Sequence, residues 1–144
     1  MTLRTGLGLI CMAGLLLGGC TTAPDEQTVI EVDCKEFALQ SHSPAEIFRA
    51  VSVSRGTSIE LRVCSNPSTG FEWEEADISE SSILTEVSHE FVPPSSAKDG
   101  SPGQEHWTFE ATEAGDCTVS FAYSRPWEGG EKGIWKLTLD VTVD

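Results

Sequence analysis

Two kinds of chemistry are open to the residues of this chain. The first is covalent. Cys117 and His106 are the right types for a thiol nucleophile and its base. Cys117, however, opens an alternating run with Val119, Phe121 and Tyr123 on one face. That run reads as a strand that buries its cysteine, and a lone buried thiol is inert. His42, His89 and His106 are scattered and no two cysteines stand at CxxC spacing, so neither a metal site nor a cofactor is expected. No GxSxG elbow or Gly-rich phosphate loop occurs. Glu72, Glu74 and Glu75 fit a solvated strand face better than an acid–base pair, because carboxylates are plentiful throughout. The chain is therefore not expected to be an enzyme.

The second kind is recognition by stiff loops. Cys64-Ser65-Asn66-Pro67-Ser68-Thr69-Gly70-Phe71-Glu72-Trp73 reads as a strand end, a polar loop and a new strand. Asn66, the only asparagine, precedes a proline and is pushed toward extended geometry. Pro67 fixes one backbone angle and Gly70 permits positive φ. Two further segments share this character: Gly100-Ser101-Pro102-Gly103, and Arg125-Pro126-Trp127 within a Gly-rich stretch that runs to Gly133. Loops of this kind keep their shape without a partner and lose little entropy on docking. An exposed tryptophan on a rigid loop is a common hot spot. The plainer readings are an ordinary turn at Asn66, a Trp127 folded back into the core, and an Arg125 hydrogen-bonded beneath its loop.

The loops need a frame. Thr28 to Cys34, Ile47 to Val53, Ile59 to Val63, Phe71 with Trp73, Ile83 to Val92, Trp107 to Ala111, Val119 to Tyr123 and Trp135 to Val143 all read as strands. Pro93 to Gly103 is a loop by composition. About eight short strands without a convincing amphipathic helix predict an all-β antiparallel sandwich. With successive strands antiparallel, alternate loops emerge at the same end. The loops at Asn66, Gly100 and Trp127 then gather together.

The cysteines constrain this frame. Cys34, Cys64 and Cys117 remain once Cys11 is assigned to a leader over 1–19 and Cys20, just after it, to a lipid anchor, so one pair and one free thiol are expected. Cys64 stands beside the first loop, whereas Cys117 begins a strand whose far end carries the third. Eight strand residues span roughly 25 Å, beyond disulfide reach. If the first two strands form a hairpin, Cys34 ends near Cys64, which favours Cys34–Cys64. Cys34–Cys117 is the fallback.

Three segments, in order, resemble the chagasin family of cysteine-peptidase inhibitors. Asn66-Pro67-Ser68-Thr69-Gly70, followed by Phe71 and Trp73, is similar to the family's NPTTG loop. Gly100-Ser101-Pro102-Gly103, approached through Phe91-Val92-Pro93-Pro94 and leading into Glu105-His106-Trp107, is similar to its Gly-rich central loop. Arg125-Pro126-Trp127, entered through Tyr123, matches its RPW loop. Ser68 replaces a threonine and keeps the hydroxyl. Pro102 replaces a glycine and removes a backbone donor. The resemblance implies an immunoglobulin-like sandwich that inhibits papain-like (clan CA) cysteine peptidases reversibly, with the three loops wedged into the active-site cleft. It implies that Asn66 to Gly70 enters the centre, that Gly100 to Gly103 lies on the non-primed side and that Trp127 stacks on the primed side. A non-inhibitory adhesion or scaffolding module on the cell envelope is the alternative, because one sandwich can serve many partners.

Residues 1–19 read as a signal peptide, with Arg4 as its basic residue and Leu7 to Leu17 as its apolar core. Leu17-Gly18-Gly19-Cys20 resembles a bacterial lipobox, which implies lipidation of Cys20, a polar tether over 20–27 and an inhibitor domain over 28–144. Thr21 after the cysteine implies the outer membrane, facing periplasm or exterior. The formal charge of −14 argues against nucleic acid as a partner. A monomer is expected.

Overall fold

Alternation of apolar and polar residues is converted here into two stacked sheets. A computed structural model describes residues 26–40, 43–96 and 98–144. The strands are β1 (Gln27–Val32), β2 (Ala45–Val53), β3 (Ser58–Ser65), β4 (Glu72–Trp73), β5 (Asp77–Ile78), β6 (Leu84–Val92), β7 (Gly103–Ala111), β8 (Gly115–Ser124) and β9 (Trp135–Val143). One sheet has the order β1-β3-β7-β6; the other runs β2-β9-β8-β4, with β5 also on β8. The leader, Cys20 and His42 lie outside the described residues.

The inward parity of each strand makes the core. Ile59, Leu61 and Val63 of β3 and Trp107 and Phe109 of β7 face Val119, Phe121 and Tyr123 of β8 and Leu137, Leu139 and Val141 of β9. All are at most 3 % exposed. Fully burying side chains of this size contributes about 1.5–3 kcal/mol each.

Three expectations about the frame require correction. The sheets are mixed rather than antiparallel throughout, because β1 runs parallel to β3 and β2 parallel to β9. The first two strands form no hairpin, since each joins the edge of a different sheet. Between them lies a helix, α1 (Cys34–Ala38), where a strand through Cys34 and no helix were expected. Its cause is local. Asp33 caps it, accepting from Lys35 N at 2.7 Å and Glu36 N at 3.2 Å, while Glu36 accepts from Asp33 N at 3.2 Å. This capping box ends β1 at Val32. The helix turns Phe37 inward to stack on Trp135, with ring centroids 4.6 Å apart.

Cys34 and Cys64 form the disulfide, with Cα atoms 5.2 Å apart, and Cys117 is buried and free. The pairing is the favoured one, but the route to it differs. Parallel register sets Val32 beside Val63, so the chain just beyond β1 arrives beside Cys64. Gly103 likewise proves to be the first residue of β7, paired with Ser65, rather than part of a loop. A Cβ there would stand 2.4 Å from the Val92 carbonyl oxygen, so only glycine lets the strands close at this point. The bridge spans 30 residues of sequence. Its removal in Cys34→Ser/Cys64→Ser is expected to lower stability by about 3 kcal/mol in urea unfolding. An unchanged midpoint would show that the bridge does not constrain the chain.

Candidate functional site: three loops at one end

Strand direction decides where the loops emerge. Ser65, the last residue of β3, pairs with Gly103, the first of β7, so the asparagine loop and the central loop (93–102) leave the first sheet side by side. Across the sandwich, Glu72 pairs with Ser124 and Tyr123 with Trp135. The asparagine loop therefore bridges the two sheets, and the loop at 125–134 rises next to its far side.

The asparagine loop is a closed hydrogen-bonded unit. Pro67–Thr69 forms one 3-10 turn that ends at Gly70 with φ of 81°. Thr69 N and Thr69 Oγ1 both donate to the Asn66 carbonyl, at 3.1 and 2.7 Å. Ser68 Oγ donates to Asn66 Oδ1 at 2.6 Å, so the hydroxyl kept by the Thr-to-Ser departure has a role inside the loop. Asn66 N donates to the hydroxyl of Tyr123 at 2.8 Å. Tyr123 is the only tyrosine, and its ring stacks on Trp135 at 4.8 Å, which fixes the hydroxyl beneath the loop.

The neighbours are tied to this unit on both sides. Asn66 Nδ2 donates to the Gly100 carbonyl at 3.0 Å, and Gly100 is in turn held at φ of 79°. On the other flank Trp127 packs over Gly70, where a Cβ would stand 2.8 Å from the indole Cη2. The order across the tip is thus central loop, asparagine loop, tryptophan loop. Ser101 and Pro102 lie on the central loop, with Ser101 N donating to Lys98 O at 3.2 Å.

The tryptophan loop is closed by its own backbone. Arg125 N donates to Glu131 O at 2.8 Å, Gly130 N to Trp127 O at 3.0 Å, and Gly133 N to Ser124 Oγ at 2.7 Å. Lys132 Nζ donates to Arg125 O at 2.6 Å. Trp127 is 51 % exposed, so it is not folded back as core. Arg125 supports the loop by stacking. Its guanidinium lies 4.4 Å from the Phe71 ring centroid and 5.8 Å from that of Trp127. Among the described residues its Nε is buried without a hydrogen-bond partner, and the contact seen beneath the loop is cation–π. Pro126 is exposed beside it.

Charge is balanced at this end. Lys98, Arg125 and Lys132 offset Asp99, Glu128 and Glu131, so the negative charge of the chain resides on the body. On the outer face of the first sheet Arg62 donates twice to Glu60 at 2.9 Å. These bonds hold the Glu60 carboxyl below its ordinary range and raise the Arg62 guanidinium. The stability they lend is present above the ordinary carboxylate range and is lost as pH falls through the lowered value.

The residues considered for covalent chemistry are not brought together. Cys117 Sγ lies 3.7 Å from Ser79 Oγ and from Glu80 O, at the end of β8 remote from the loops. His106 Nδ1 lies 3.3 Å from Glu60. A groove of about 430 Å³ runs beside the central loop between Pro93, Pro94, Pro102 and the disulfide, and its lining holds no histidine and no free thiol. Among the described residues no cluster of His, Cys, Asp or Glu could hold a metal ion. Sequence reasoning missed the Tyr123 hydroxyl, which supports the asparagine loop from a distant strand, and Ser124 and Lys132, which close the tryptophan loop from its base and from within it.

The sequence model described as chagasin family peptidase inhibitor I42 matches residues 52–143. Chagasin of Trypanosoma cruzi is 37 % identical over 93 residues, covering 62 % of this chain and 84 % of its own. Amoebiasin-2 of Entamoeba histolytica is 28 % identical over 91 residues, covering 63 % and 74 %. In fold, the chain is similar to the cysteine protease inhibitor EhICP2 of Entamoeba histolytica, with a TM-score of 0.61 at 22 % identity over 82 % of this chain and 97 % of that one. The structure of PbICP-C in complex with falcipain-2 gives the same TM-score of 0.61 at 13 % identity, over 81 % and 99 %. Gly70→Ala is expected to cost about 1–2 kcal/mol, because it forces a left-handed residue to carry a side chain. It should also shift tryptophan fluorescence as Trp127 is displaced. An unchanged melting curve and spectrum would show that the loop is not so tightly specified.

Proposed function

The chain belongs to the chagasin family of peptidase inhibitors, and from that premise we propose that it blocks papain-like cysteine peptidases by seating its three loops together in the active-site cleft. The observation that carries this reading is the continuity of the tip. Asn66 Nδ2 is bonded to Gly100 O at 3.0 Å on one side, and Gly70 lies under the Trp127 indole on the other. Three separate segments therefore present one surface, already shaped before any partner arrives, and preorganisation of this sort reduces the entropy lost on docking.

The roles follow from position. Asn66 to Gly70, the middle of the tip, is the part that reaches the catalytic dyad of the enzyme. Its 3-10 turn differs from the extended backbone a peptidase cleaves, which favours occupancy without hydrolysis. Trp127 supplies the large exposed aromatic surface on one flank and Gly100 to Gly103 the close backbone approach on the other. Pro102 stiffens that flank. The binding is reversible and the inhibitor is monomeric. An adhesion or scaffolding role is not favoured, since nothing in such a role requires these three motifs in register.

Anchoring belongs to the same proposal. Lipidation at Cys20 would place the domain on the bacterial envelope, at the outer membrane, with residues up to about 27 as tether. β1 enters the sandwich at Gln27, opposite Ser58, whereas β3 reaches the loops at Ser65. The tether thus joins the end remote from the tip, and an anchored domain would direct its loops away from the membrane.

Trp127→Ala is expected to weaken inhibition of papain by more than about 1 kcal/mol with little change in melting temperature. Equal inhibition constants for the two proteins would remove Trp127 from the contact. Mass spectrometry of the mature protein purified from membranes should find acyl chains on Cys20, with Cys20→Ser released to the soluble fraction; an unmodified Cys20 would contradict the anchor.

A further inference from the structure

Below the loops lies one buried carboxylate. Glu105 is on the core-facing parity of β7 between Gly103 and Trp107, and it is 7 % exposed. A carboxylate in such a place is costly unless hydrogen-bonded. Two groups serve it: Ser65 Oγ donates to Oε1 at 3.2 Å, and His89 Nε2 lies 2.8 Å from Oε2. Ser65 is the last residue of β3, fully buried, directly before Asn66. His89 is on β6, the strand that runs through Val92 into the central loop, and its ring is stacked on Trp107 with centroids 4.3 Å apart. β6 pairs with β7 alone and most of its residues are exposed, so it has few other restraints. One carboxylate thereby joins the root of the asparagine loop to both stems of the central loop.

We propose that Glu105 is the positioning residue of the wedge. Its carboxylate holds Ser65 and His89, and through them sets the two loops at the separation at which Asn66 Nδ2 meets Gly100 O. The His89 contact is a charge-assisted hydrogen bond, because its acceptor is the carboxylate. On β7 the charged group in contact with His89 is Glu105, while His106 lies on the opposite face toward Glu60. On its own strand Glu86 and Glu90 are exposed, and β3 contributes the uncharged Ser65 at the carboxylate. The consequence for inhibition rests on the functional reading above; the positioning itself does not.

The test compares wild type with Glu105→Gln, His89→Gln and Ser65→Ala by amide hydrogen exchange and by inhibition constants for papain. Glu105→Gln is expected to speed exchange about tenfold at Thr69, Gly70, Ser101 and Gly103, leave β8–β9 amides unchanged, and weaken inhibition about tenfold. A double variant with Asn66→Ala should be non-additive, and one with Trp127→Ala additive. Unchanged loop exchange in Glu105→Gln, or exchange raised uniformly through both sheets, would overturn the proposal. If Glu105→Gln does not fold, His89→Gln and Ser65→Ala decide it on the same amides. Should wild type not inhibit papain, the inhibitor reading fails, and loop exchange still decides the role of Glu105.

Discussion

The tip of this protein depends on how Asn66 uses its polar groups. Its backbone N–H goes to Tyr123, its carbonyl to Thr69, its side-chain oxygen to Ser68 and its side-chain NH2 to Gly100. These bonds close the asparagine loop on itself, root it in the core and fasten it to the central loop. Only a residue with both a short reach and an amide's donor and acceptor can make all of them. Aspartate would lose the donor to Gly100, and glutamine would carry the amide past Ser68. The preceding Ser65 and following Pro67 hold the backbone in the conformation these bonds require.

The sandwich supplies what the loops cannot. Each loop alone is too short to order itself, and a loop's ends must be fixed before its interior can be. The first sheet fixes the asparagine and central loops through adjacent strands, and the second fixes the tryptophan loop. Aromatic packing joins the two halves, since Trp73 lies between Phe37, Trp107 and Tyr123. The indole of Trp73 donates to Cys64 O at 2.9 Å, next to the disulfide and one residue before the loop's buried root. Stability of the body and shape of the tip are therefore coupled over a few residues. The family match begins at residue 52, so β1, α1 and most of β2 precede it.

Much of this was legible in the sequence, for identifiable reasons. Strands showed because alternation is local, and the three loops showed because proline, glycine and asparagine leave a compositional mark. What was not legible depended on partners far away in the chain. Nothing local tells β1 to run parallel to β3, so Cys34 reaches Cys64 by parallel pairing rather than through the hairpin that the sequence suggests. The helix at Cys34 was signalled by Asp33 and Glu36, but a short alternating strand read through the same residues obscured it. Gly103 looked like loop because glycine is usually so, whereas here it admits the Val92 carbonyl. The support given by Tyr123 and Glu105 could not be read from spacing, because Tyr123 meets Asn66 only after the sheets stack and Glu105 meets Ser65 and His89 only once β3, β7 and β6 pair.

Three loops that form one preshaped surface should occupy a peptidase cleft and survive there. The decisive measurement is titration of active papain with the mature domain, followed by mass analysis of the mixture. Activity is expected to be lost at one domain per enzyme, with the domain recovered intact after prolonged incubation. Full activity at micromolar inhibitor, or a domain cut between Asn66 and Gly70, would contradict it.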